Sequence, residues 1–320
     1  MQNHIPRLLL SATGSDSGKT TMMLALLSAF QKSGVVVQSY KSGPDYIDPM
    51  FHEAVTHRPA YHTDPFFLQP DAMRKLVAAT AQQADLALIE GAMGFYDGAG
   101  LTTWKTSAYE LALVTKTPVV LVVNARGAAL SVLAAVQGFL QRELLALLPE
   151  ADFLGEEGDH TTLTRPWTFI VDPIDGTTNF VRRLHYSDIS VALAQDGQTQ
   201  YAVVYDPFAD ELFSAQKDGG AFCNGLPIRV SERDMAHAVF LCGSTIYDRS
   251  LTERSFSLMR QLYEKGLDFR RFGAAALDLC QVAAGRVEVF GECCLSPWDY
   301  AAGSLIITEA GGIVTDFSDT

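Results

Sequence analysis

Short apolar runs separated by polar, glycine-containing turns organise the first part of the chain. The runs of strand length are Arg7–Ser11, Val35–Val37, Leu86–Ile89 and Pro118–Val123, and a longer apolar stretch covers Thr20–Phe30. Apolar runs bounded by turn residues predict buried strands, and the longer stretch predicts a buried helix. Strands that alternate with helices indicate an α/β fold.

A loop of small residues joins the first predicted strand to the first predicted helix, and residues 12–20 read ATGSDSGKT. Small residues let backbone N–H groups surround a phosphate, and the positive end of the helix dipole adds to the attraction. Lys19 would neutralise phosphate oxygens, and the Thr20 hydroxyl would bind Mg²⁺. The predicted nucleotide-binding residues of this loop are Ser17, Gly18, Lys19 and Thr20. Thr13 stands where the strict pattern has glycine, so an ordinary turn remains the alternative.

Acidic residues follow two of the other predicted strands. Two prolines exclude a helix from residues 41–52, so we expect Asp45 and Asp48 on a loop after the second strand. Glu90 ends the third predicted strand. Open α/β sheets bind ligands at the carboxyl ends of their strands, so these acids are candidates for holding Mg²⁺ and its water. Turn formation and solvated charge remain the alternative for each acid taken singly.

Four segments of this part resemble cobyrinic acid a,c-diamide synthase and, more distantly, dethiobiotin synthetase. They are GSDSGKTT (14–21), KSGPDYIDPMFH (41–52), LIEGAMGFYDG (88–98) and PVVLVVNARGAALSVLAAVQGF (118–139). The resemblance implies a partial P-loop ATP-binding domain over residues 1–138, with a doubly wound, mostly parallel sheet. It also implies ATP phosphates at Ser17–Thr20 and Mg²⁺ near Thr20, Asp45 and Glu90. That family uses ATP to activate a corrinoid carboxylate for amidation. Asp16 departs from its pattern, and its glutamine amidotransferase domain has no counterpart here.

The second part of the chain changes from a helical pattern to strands. Apolar positions over 134–148 recur at helical spacing, and Pro149 marks the predicted end of that helix. An apolar strand over Trp167–Val171 then leads into the sequence DPIDGTTN at 172–179.

Asp172 and Asp175 flank a proline in a predicted tight turn, which would aim both carboxylates at one point. Two acids placed in this way repel each other unless a cation lies between them. Gly176 and the threonines after it can offer N–H groups and hydroxyls to a phosphate. Asp299 begins a helix of small and apolar residues far downstream and supplies another acid. An acidic capping turn is the alternative reading of the first two aspartates.

Four segments of the second part resemble the inositol monophosphatase family. They are FLGEE (153–157), WTFIVDPIDGTTNF (167–180), RRFGAAALDLC (270–280) and PWDYAAGSLIITEAGG (297–312). The resemblance implies a truncated α+β sugar-phosphatase domain over residues 139–320, layered αβαβα. It further implies Mg²⁺-assisted in-line hydrolysis of inositol monophosphate or a related sugar phosphate.

Carried over position by position, this resemblance assigns roles to individual residues. The implied catalytic residues are Glu156, Asp172, Asp175, Thr177 and Asp299. The implied Mg²⁺ ligands are Glu156, Asp172, Asp175, Asp299 and the carbonyl of Ile174. The implied phosphate and sugar contacts are Gly176, Thr177, Thr178, Ala275 and Glu292.

The second part also departs from its family. The opening helices and the closing strand and helix have no counterpart. The family's aspartate that orients the attacking water together with Thr177 falls on Leu133, when positions are counted back from Glu156 without gaps. Loss of such a group costs about 10²–10⁴-fold in rate. We therefore expect a largely intact metal site with impaired turnover.

Charge and cysteine content separate the same two parts. The net charge of −13 falls entirely on residues 139–320, whereas residues 1–138 are neutral. A surface with this much negative charge repels nucleic acids and anionic membranes, which argues against either as a partner. All five cysteines lie in the second part, and an odd count without zinc spacing predicts reduced thiols. No apolar run approaches the roughly 20 residues of a membrane span, and no signal peptide is evident, so we expect a cytoplasmic protein.

The patterns leave three functions open. The first is a Mg²⁺-dependent phosphatase that acts on a small-molecule phosphate ester. The second is an ATP-dependent ligase fragment related to corrinoid amidation, and the third is a non-catalytic nucleotide- or metal-binding fusion. The two patterns meet near residues 134–140. Incomplete domains would expose apolar surface, which predicts a possible homo-oligomer.

Overall fold

A computed structural model of the chain describes residues 5–100, 103–124, 131–157, 163–244 and 248–316. The chain folds as two compact units, Met1–Ala128 and Ala129–Thr320. This division lies before the predicted join at residue 138. The reason is that the helix containing residue 138 packs against strands of the second unit.

The first unit contains a five-stranded sheet in which every strand pairing is parallel. Its strands are β1 (Arg7–Ala12), β2 (Val37–Lys41), β3 (Tyr61–His62), β4 (Leu86–Glu90) and β5 (Val119–Val122). Its helices are α1 (Lys19–Lys32), α2 (Ile47–Thr56), α3 (Pro70–Thr80) and α4 (Ala108–Thr115). The strand order is β3-β2-β4-β1-β5, so the carboxyl ends of β2, β4 and β1 lie side by side.

Apolar side chains from α1 and from three adjacent strands fill one core of this unit. The fully or nearly fully buried members are Leu10, Met23, Leu27, Val37 and Leu88. Burial of such side chains stabilises the sheet by about 1.5–3 kcal/mol each. The core therefore fixes the strand ends that carry the polar residues described below.

The expectation that prolines exclude a helix after β2 is wrong. Helix α2 begins at Ile47 and contains Pro49 in its first turn. The first N–H groups of a helix have no acceptor within it, so a proline there removes no hydrogen bond. Pro44 precedes the helix and leaves it undisturbed.

The second unit contains a seven-stranded sheet and a three-stranded parallel sheet. The large sheet consists of β6 (Asp152–Gly155), β7 (Trp167–Asp175), β8 (Asp188–Gln195), β9 (Gln198–Asp206), β10 (Glu211–Gln216), β11 (Gly220–Cys223) and β12 (Leu226–Pro227), in the order β12-β11-β10-β9-β8-β7-β6. The small sheet consists of β13 (Val239–Cys242), β14 (Asp268–Arg270) and β15 (Val289–Gly291), in the order β14-β13-β15. The helices are α5 (Ser131–Leu147), α6 (Thr177–Arg182), α7 (Thr252–Lys265), α8 (Ala275–Ala283) and α9 (Pro297–Glu309).

Helices α8 and α9 pack against each other and against the large sheet, and they bury the main core of the second unit. Val204 and Phe213 contribute from the sheet, and Leu277 and Ile306 contribute from the two helices. All four side chains are fully buried. The predicted α/β class is confirmed, with a parallel sheet in the first unit and mixed pairing in the second.

Two further expectations concerned a tight turn at residues 172–175 and exposed apolar surface. Residues 172–175 do not form a separate tight turn, because β7 continues through Asp175 with an irregularity in its register. Exposed apolar surface is found in the first unit, where Tyr46, Phe66 and Phe67 are each more than half exposed. Within the described ranges, no helix has the length and apolar composition needed to cross a bilayer.

The contact between α8 and α9 leaves no room for an added methyl group at Gly303. A Cβ atom at this position would lie 2.6 Å from the Cβ of Leu279. We expect Gly303→Ala to lower the free energy of unfolding by about 1–3 kcal/mol, because overpacking forces the helices apart. Urea unfolding at equilibrium measures the effect.

Gly138→Ala in α5 is the matched control, because a Cβ atom there meets nothing within 4 Å. Alanine favours a helix over glycine by up to about 1 kcal/mol, so this variant should be at least as stable as the parent. Equal stability of the two alanine variants would contradict the close contact.

Candidate metal centre

Polar side chains meet around Glu90 at the edge where the parallel strands of the first sheet end. The Glu90 carboxylate accepts hydrogen bonds from Thr20 Oγ1 at 2.7 Å and from Lys41 Nζ at 2.9 Å. Lys41 Nζ also lies 2.5 Å from Asp48 Oδ2, and Thr20 Oγ1 lies 3.2 Å from that oxygen. His52 Nε2 is 2.9 Å from the second Glu90 oxygen. Burial favours the neutral acid, but the hydrogen bond to His52 and the charge of Lys41 hold the pKa of Glu90 below its ordinary value.

The predicted phosphate loop turns tightly before α1. Gly18 has φ +87°, in the left-handed region that favours glycine. Ser17 Oγ donates to the carbonyl of Gly14 at 2.9 Å. Lys19 Nζ donates to the carbonyls of Gly14 at 2.8 Å and Met93 at 2.6 Å, and burial lowers the pKa of Lys19. The ammonium group of Lys19 is therefore bound by one carbonyl of the loop and by one from the segment after β4.

The structure places Asp48, and not Asp45, beside Thr20 and Glu90. Asp45 Oδ1 accepts the N–H of Ile47 at 2.8 Å and so caps the start of α2. Because α2 begins at Ile47, Asp48 lies in its first turn and reaches the strand ends, whereas Asp45 precedes the helix. The choice of Asp45 came from the family resemblance, whereas the loop expected from the sequence included both Asp45 and Asp48.

Three carboxylates converge in a cleft of the second unit. Ligand oxygens of Asp172, Asp175 and Asp299 lie within 4.8 Å of one another. The first two come from the end of β7, and the third comes from the first turn of α9. The cleft has a volume of about 650 Å³, and Glu156 also lines it.

Backbone hydrogen bonds fix the two aspartates of β7. Asp172 Oδ1 accepts the N–H of Ile174 at 2.9 Å, and Asp175 Oδ2 accepts the N–H of Ala276 at 2.7 Å. Gly176 follows with φ +78°, and a Cβ atom there would lie 2.9 Å from the Cβ of Ala274. Only glycine fits this position, so the DG step of the sequence is a steric requirement.

A capping box fixes the third aspartate. The N–H of Ser296 donates to Asp299 Oδ2 at 2.7 Å, and the Ser296 side chain caps the helix in return. Pro297 occupies the first helical position, where a missing N–H costs nothing. The local sequence SPWD therefore determines both the start of α9 and the orientation of its acid.

Burial and mutual repulsion favour the protonated forms of these acids. Burial, followed by the charges of Asp175 and Glu156, raises the pKa of Asp172 to about 10. Burial also raises the pKa of Asp175 to about 7 and raises the pKa values of Glu156 and Asp299. Among the described residues, no lysine, arginine or histidine forms an ion pair with Asp172, Asp175 or Asp299. A cation that binds between the acids would reverse these shifts.

Most of the other residues predicted for this site line the cleft. The cleft is also lined by Gly176, Thr177, Thr178, Ala275 and Glu292. The carbonyl of Ile174 instead accepts a hydrogen bond from Thr177 Oγ1 at 3.2 Å. Leu133 is 2 % exposed in the first turn of α5 and is not among the described residues that line the cleft. The suggested equivalence of Leu133 with an aspartate stays a prediction.

Sequence reasoning missed the residues that hold the two halves of the cleft together. Asn179 Nδ2 donates to the carbonyls of Tyr186 at 2.9 Å and Phe272 at 2.7 Å, which ties α6 and the segment before β8 to the segment before α8. The Tyr186 hydroxyl donates to Asp278 Oδ1 at 2.8 Å, and burial raises the pKa of Asp278 to about 8. Arg271 Nε donates to Ser244 Oγ at 2.9 Å on the cleft wall.

Two of these residues carried a signal in the sequence. Asn179 lies inside the DPIDGTTN segment, and Asp278 is a charged residue on an otherwise apolar helical face. A charged residue at a core position requires a partner, which is a recognisable indication of a polar network. The hydrogen bond between Arg271 and Ser244 joins distant parts of the chain, and no local pattern indicates it.

The raised pKa of Asp175 predicts how metal-free protein responds to pH. Its folded value of about 7 lies above the ordinary 3.8, so between these values the folded state keeps a proton that the unfolded state releases. The resulting stability is present below the unfolded pKa and is lost as the pH rises through about 7. Asp175→Asn removes this titration. In a chelator, we expect the variant to gain stability over the parent as the pH rises from about 5 to about 8.

Urea unfolding of both proteins across this pH range measures the difference. A free-energy difference between variant and parent that stays constant with pH would contradict a buried, metal-free Asp175 of raised pKa.

The family model that matches this chain covers the second unit. Residues 122–320 match the model of the Inositol monophosphatase family. The "Nus factor SuhB" of Escherichia coli K12 is 43% identical over 164 residues, which are 51% of this chain and 61% of that protein. The "Nus factor SuhB" of Pasteurella multocida is 46% identical over 151 residues, which are 47% of this chain and 57% of that protein. The chain thus spans about three fifths of the length of these curated relatives.

Solved structures show the same similarity. An inositol monophosphatase from Anabaena (Nostoc) is 34% identical with a TM-score of 0.57, and the match covers 59% of this chain and 76% of that one. A Thermotoga maritima IMPase is 35% identical with a TM-score of 0.54, over 59% of this chain and 72% of that one. A Staphylococcus aureus inositol monophosphatase II is 27% identical with a TM-score of 0.52, over 59% and 73%.

Proposed function

The chain belongs to the Inositol monophosphatase family, and from that premise we propose that its second unit is a Mg²⁺-dependent phosphatase. Its substrate is inositol monophosphate or a related sugar phosphate. The observation that carries the proposal is the convergence of the Asp172, Asp175 and Asp299 carboxylates in one cleft. Several of the solved relatives are described as inositol monophosphatases, and one was determined with inositol monophosphate bound.

The donor set suits Mg²⁺. Carboxylate oxygens are the ligands that this ion prefers, and Asp172, Asp175, Asp299 and Glu156 would hold it. Buried acids without a cationic partner are unfavourable, so the protein gains stability when a divalent ion binds. Bound Mg²⁺ supplies the chemistry of phosphate-ester hydrolysis by lowering the pKa of a water molecule and by stabilising phosphoryl charge.

Residues of the chain bind and orient the ester. Thr177 and Thr178 line the cleft next to the acids, and their backbone N–H groups, in the first turn of α6, can donate to phosphate oxygens. Glu292 and Ala275 line the same cleft, where the carboxylate and the backbone can accept and donate hydrogen bonds to sugar hydroxyls. A Cβ atom at Gly243 would lie only 1.7 Å from Glu292 Oε2, so a glycine at that position makes room for the carboxylate.

Turnover of the proposed phosphatase is expected to be weak. Thr177 Oγ1 donates to the carbonyl of Ile174, and the prediction from the family leaves Thr177 without its aspartate partner because Leu133 takes that position. A general base contributes about 10²–10⁴-fold to a rate, so binding should be better preserved than hydrolysis.

Phosphate release from inositol 1-phosphate tests the proposal. We expect slow release that depends on Mg²⁺ and stops with a chelator. Asp175→Asn should reduce the rate by at least about tenfold, because it removes a charged oxygen from the metal centre.

The matched control is Asp196→Asn. Asp196 lies in an exposed turn between β8 and β9 with φ +49°, a conformation that asparagine also adopts. The control should keep the parent rate. Mg²⁺-dependent release that is equal in the Asp175→Asn and Asp196→Asn variants would overturn the proposal.

A second candidate function belongs to the first unit, which we propose binds the phosphates of ATP together with Mg²⁺. The supporting observation is the meeting of Thr20, Asp48 and Glu90 at the carboxyl ends of parallel strands. A hydroxyl and two carboxylates next to a glycine-rich loop are suited to a Mg²⁺–phosphate complex. Lys19 would exchange its hydrogen bonds to backbone carbonyls for phosphate oxygens.

Calorimetric titration with Mg²⁺–ATP tests this second candidate. Lys19→Ala should weaken binding by at least about tenfold, because it removes a charge-assisted hydrogen bond to phosphate. Lys32→Ala, at the exposed end of α1, is the control and should bind as the parent does. Equal binding by both variants would refute a phosphate loop. ATP hydrolysis that requires a corrinoid would favour the ligase alternative over simple binding.

A further inference from the structure

Arg271 is the one basic residue among the described residues that line the acidic cleft. Seven acidic residues line the same cleft, and three of them form the proposed metal centre. Arg271 follows β14 and is exposed at the cleft wall. None of the ion pairs found in the described ranges includes Arg271, although so many acids line the cleft with it. Its positive charge is therefore available to a group that enters the cleft.

The Arg271 side chain is held in place through one of its five N–H groups. Nε donates to Ser244 Oγ at 2.9 Å, in the segment that follows β13. The guanidinium extends over Gly273, since Nη1 lies 3.5 Å from the position that a Cβ atom of Gly273 would occupy. The anchor at Nε leaves the two terminal nitrogens as a planar pair of donors. Phosphate and carboxylate oxygens match this geometry.

Gly273 lies between Arg271 and the segment proposed to bind the ester phosphate. Asn179 Nδ2 lies 3.7 Å from the same Cβ position of Gly273, and a Cβ atom at Gly176 would lie 3.2 Å from the Gly273 carbonyl oxygen. The phosphate-binding segment that begins at Gly176 and the guanidinium of Arg271 thus meet at one glycine. A substrate whose ester phosphate lies beside Gly176 can therefore extend across Gly273 to Arg271.

Ser244 also connects Arg271 to the residue proposed to bind sugar hydroxyls. The neighbouring Gly243 lies against the Glu292 carboxylate, so Glu292, Ser244 and Arg271 belong to one wall of the cleft. The cleft volume of about 650 Å³ lies within the range of pockets that hold drug-sized ligands. The cleft therefore has room for a substituent beyond a single sugar ring and its phosphate.

We propose that Arg271 is a specificity-determining residue that binds a second anionic group of the substrate, a phosphate or a carboxylate carried by the sugar. Away from the metal centre, the acidic lining would repel such a group everywhere except beside Arg271. The inference rests on the proposed phosphatase function. Within the class of sugar phosphates, it favours substrates that carry another anionic group.

Calorimetric titration in Mg²⁺ of compounds that differ by one anionic group tests the inference. The first comparison is between inositol 1-phosphate and a panel of inositol bisphosphates that keep the 1-phosphate. The second is between glucose 1-phosphate and glucuronic acid 1-phosphate, which differ by a carboxylate. We expect at least one doubly anionic compound to bind about tenfold more tightly than its partner, because hydrogen bonds between charged groups are strong. The comparison that shows the preference identifies the second group as phosphate or carboxylate.

Arg271→Ala should remove this preference, and Arg271→Lys should keep part of it, because lysine retains the charge without the paired donors. Arg270→Ala is the matched control. Arg270 is exposed, forms an ion pair with Asp268 and is not among the described residues that line the cleft, so the control should keep the full preference. A general disturbance of the cleft wall would weaken both members of a pair equally and leave their ratio unchanged.

A parent chain without any preference, or a preference that Arg271→Ala leaves intact, would overturn the inference. Phosphate release measured in parallel separates this result from a failure of the proposed function. Mg²⁺-dependent release without a preference refutes the anion site alone. A preference that depends on Arg271, without any release, supports the anion site and refutes the phosphatase.

Discussion

Repulsion between dehydrated carboxylates is the constraint on which the second unit depends. Asp172 and Asp175 lie at the buried carboxyl end of β7, and Asp299 faces them from α9. Left without a counter-charge, such a group would favour protonation or unfolding. The fold holds the acids together by other means: N–H donors from Ile174 and Ala276, and a capping box at the start of α9. The arrangement is suited to a bound cation, because no lysine, arginine or histidine in the described parts of the chain pairs with these acids.

In the first unit, a lysine of the chain itself offsets part of the charge of the buried acids. Glu90 and Asp48 are also brought together at strand ends, but Lys41 lies between them and His52 contacts Glu90. Lys41 offsets part of the charge of that cluster, and the pKa of Glu90 is lowered, whereas the pKa of Asp172 is raised. The contrast explains why the second unit makes the stronger case for a resident metal ion. In the first unit, Lys41 already occupies part of the space beside the acids.

The sequence predicted what short-range chemistry determines. DPIDG and SPWD indicated three acids whose carboxylates do converge, because a strand end, a glycine at positive φ and a helix cap are local features. The tight turn expected at residues 172–175 is wrong, since β7 continues through Asp175. It failed at Pro49, since a proline in a first helical turn looks like a helix breaker until the helix start is known. It also gave no indication of Asp188, which lies opposite Asp175 only because β8 pairs with β7. Contacts across strands depend on register, and a single segment does not reveal its register.

Anomalous scattering from crystals of the full-length chain grown with Mn²⁺ is the most direct test for a cation among the three carboxylates. We expect a strong anomalous peak within coordination distance of Asp172, Asp175 and Asp299, at a site that a chelator empties. If well-diffracting crystals in Mn²⁺ solution showed no anomalous peak among these three carboxylates, this result would contradict a metal centre in the second unit. The acids would then have to be stabilised by protons alone, and the proposed phosphatase would lose its physical basis.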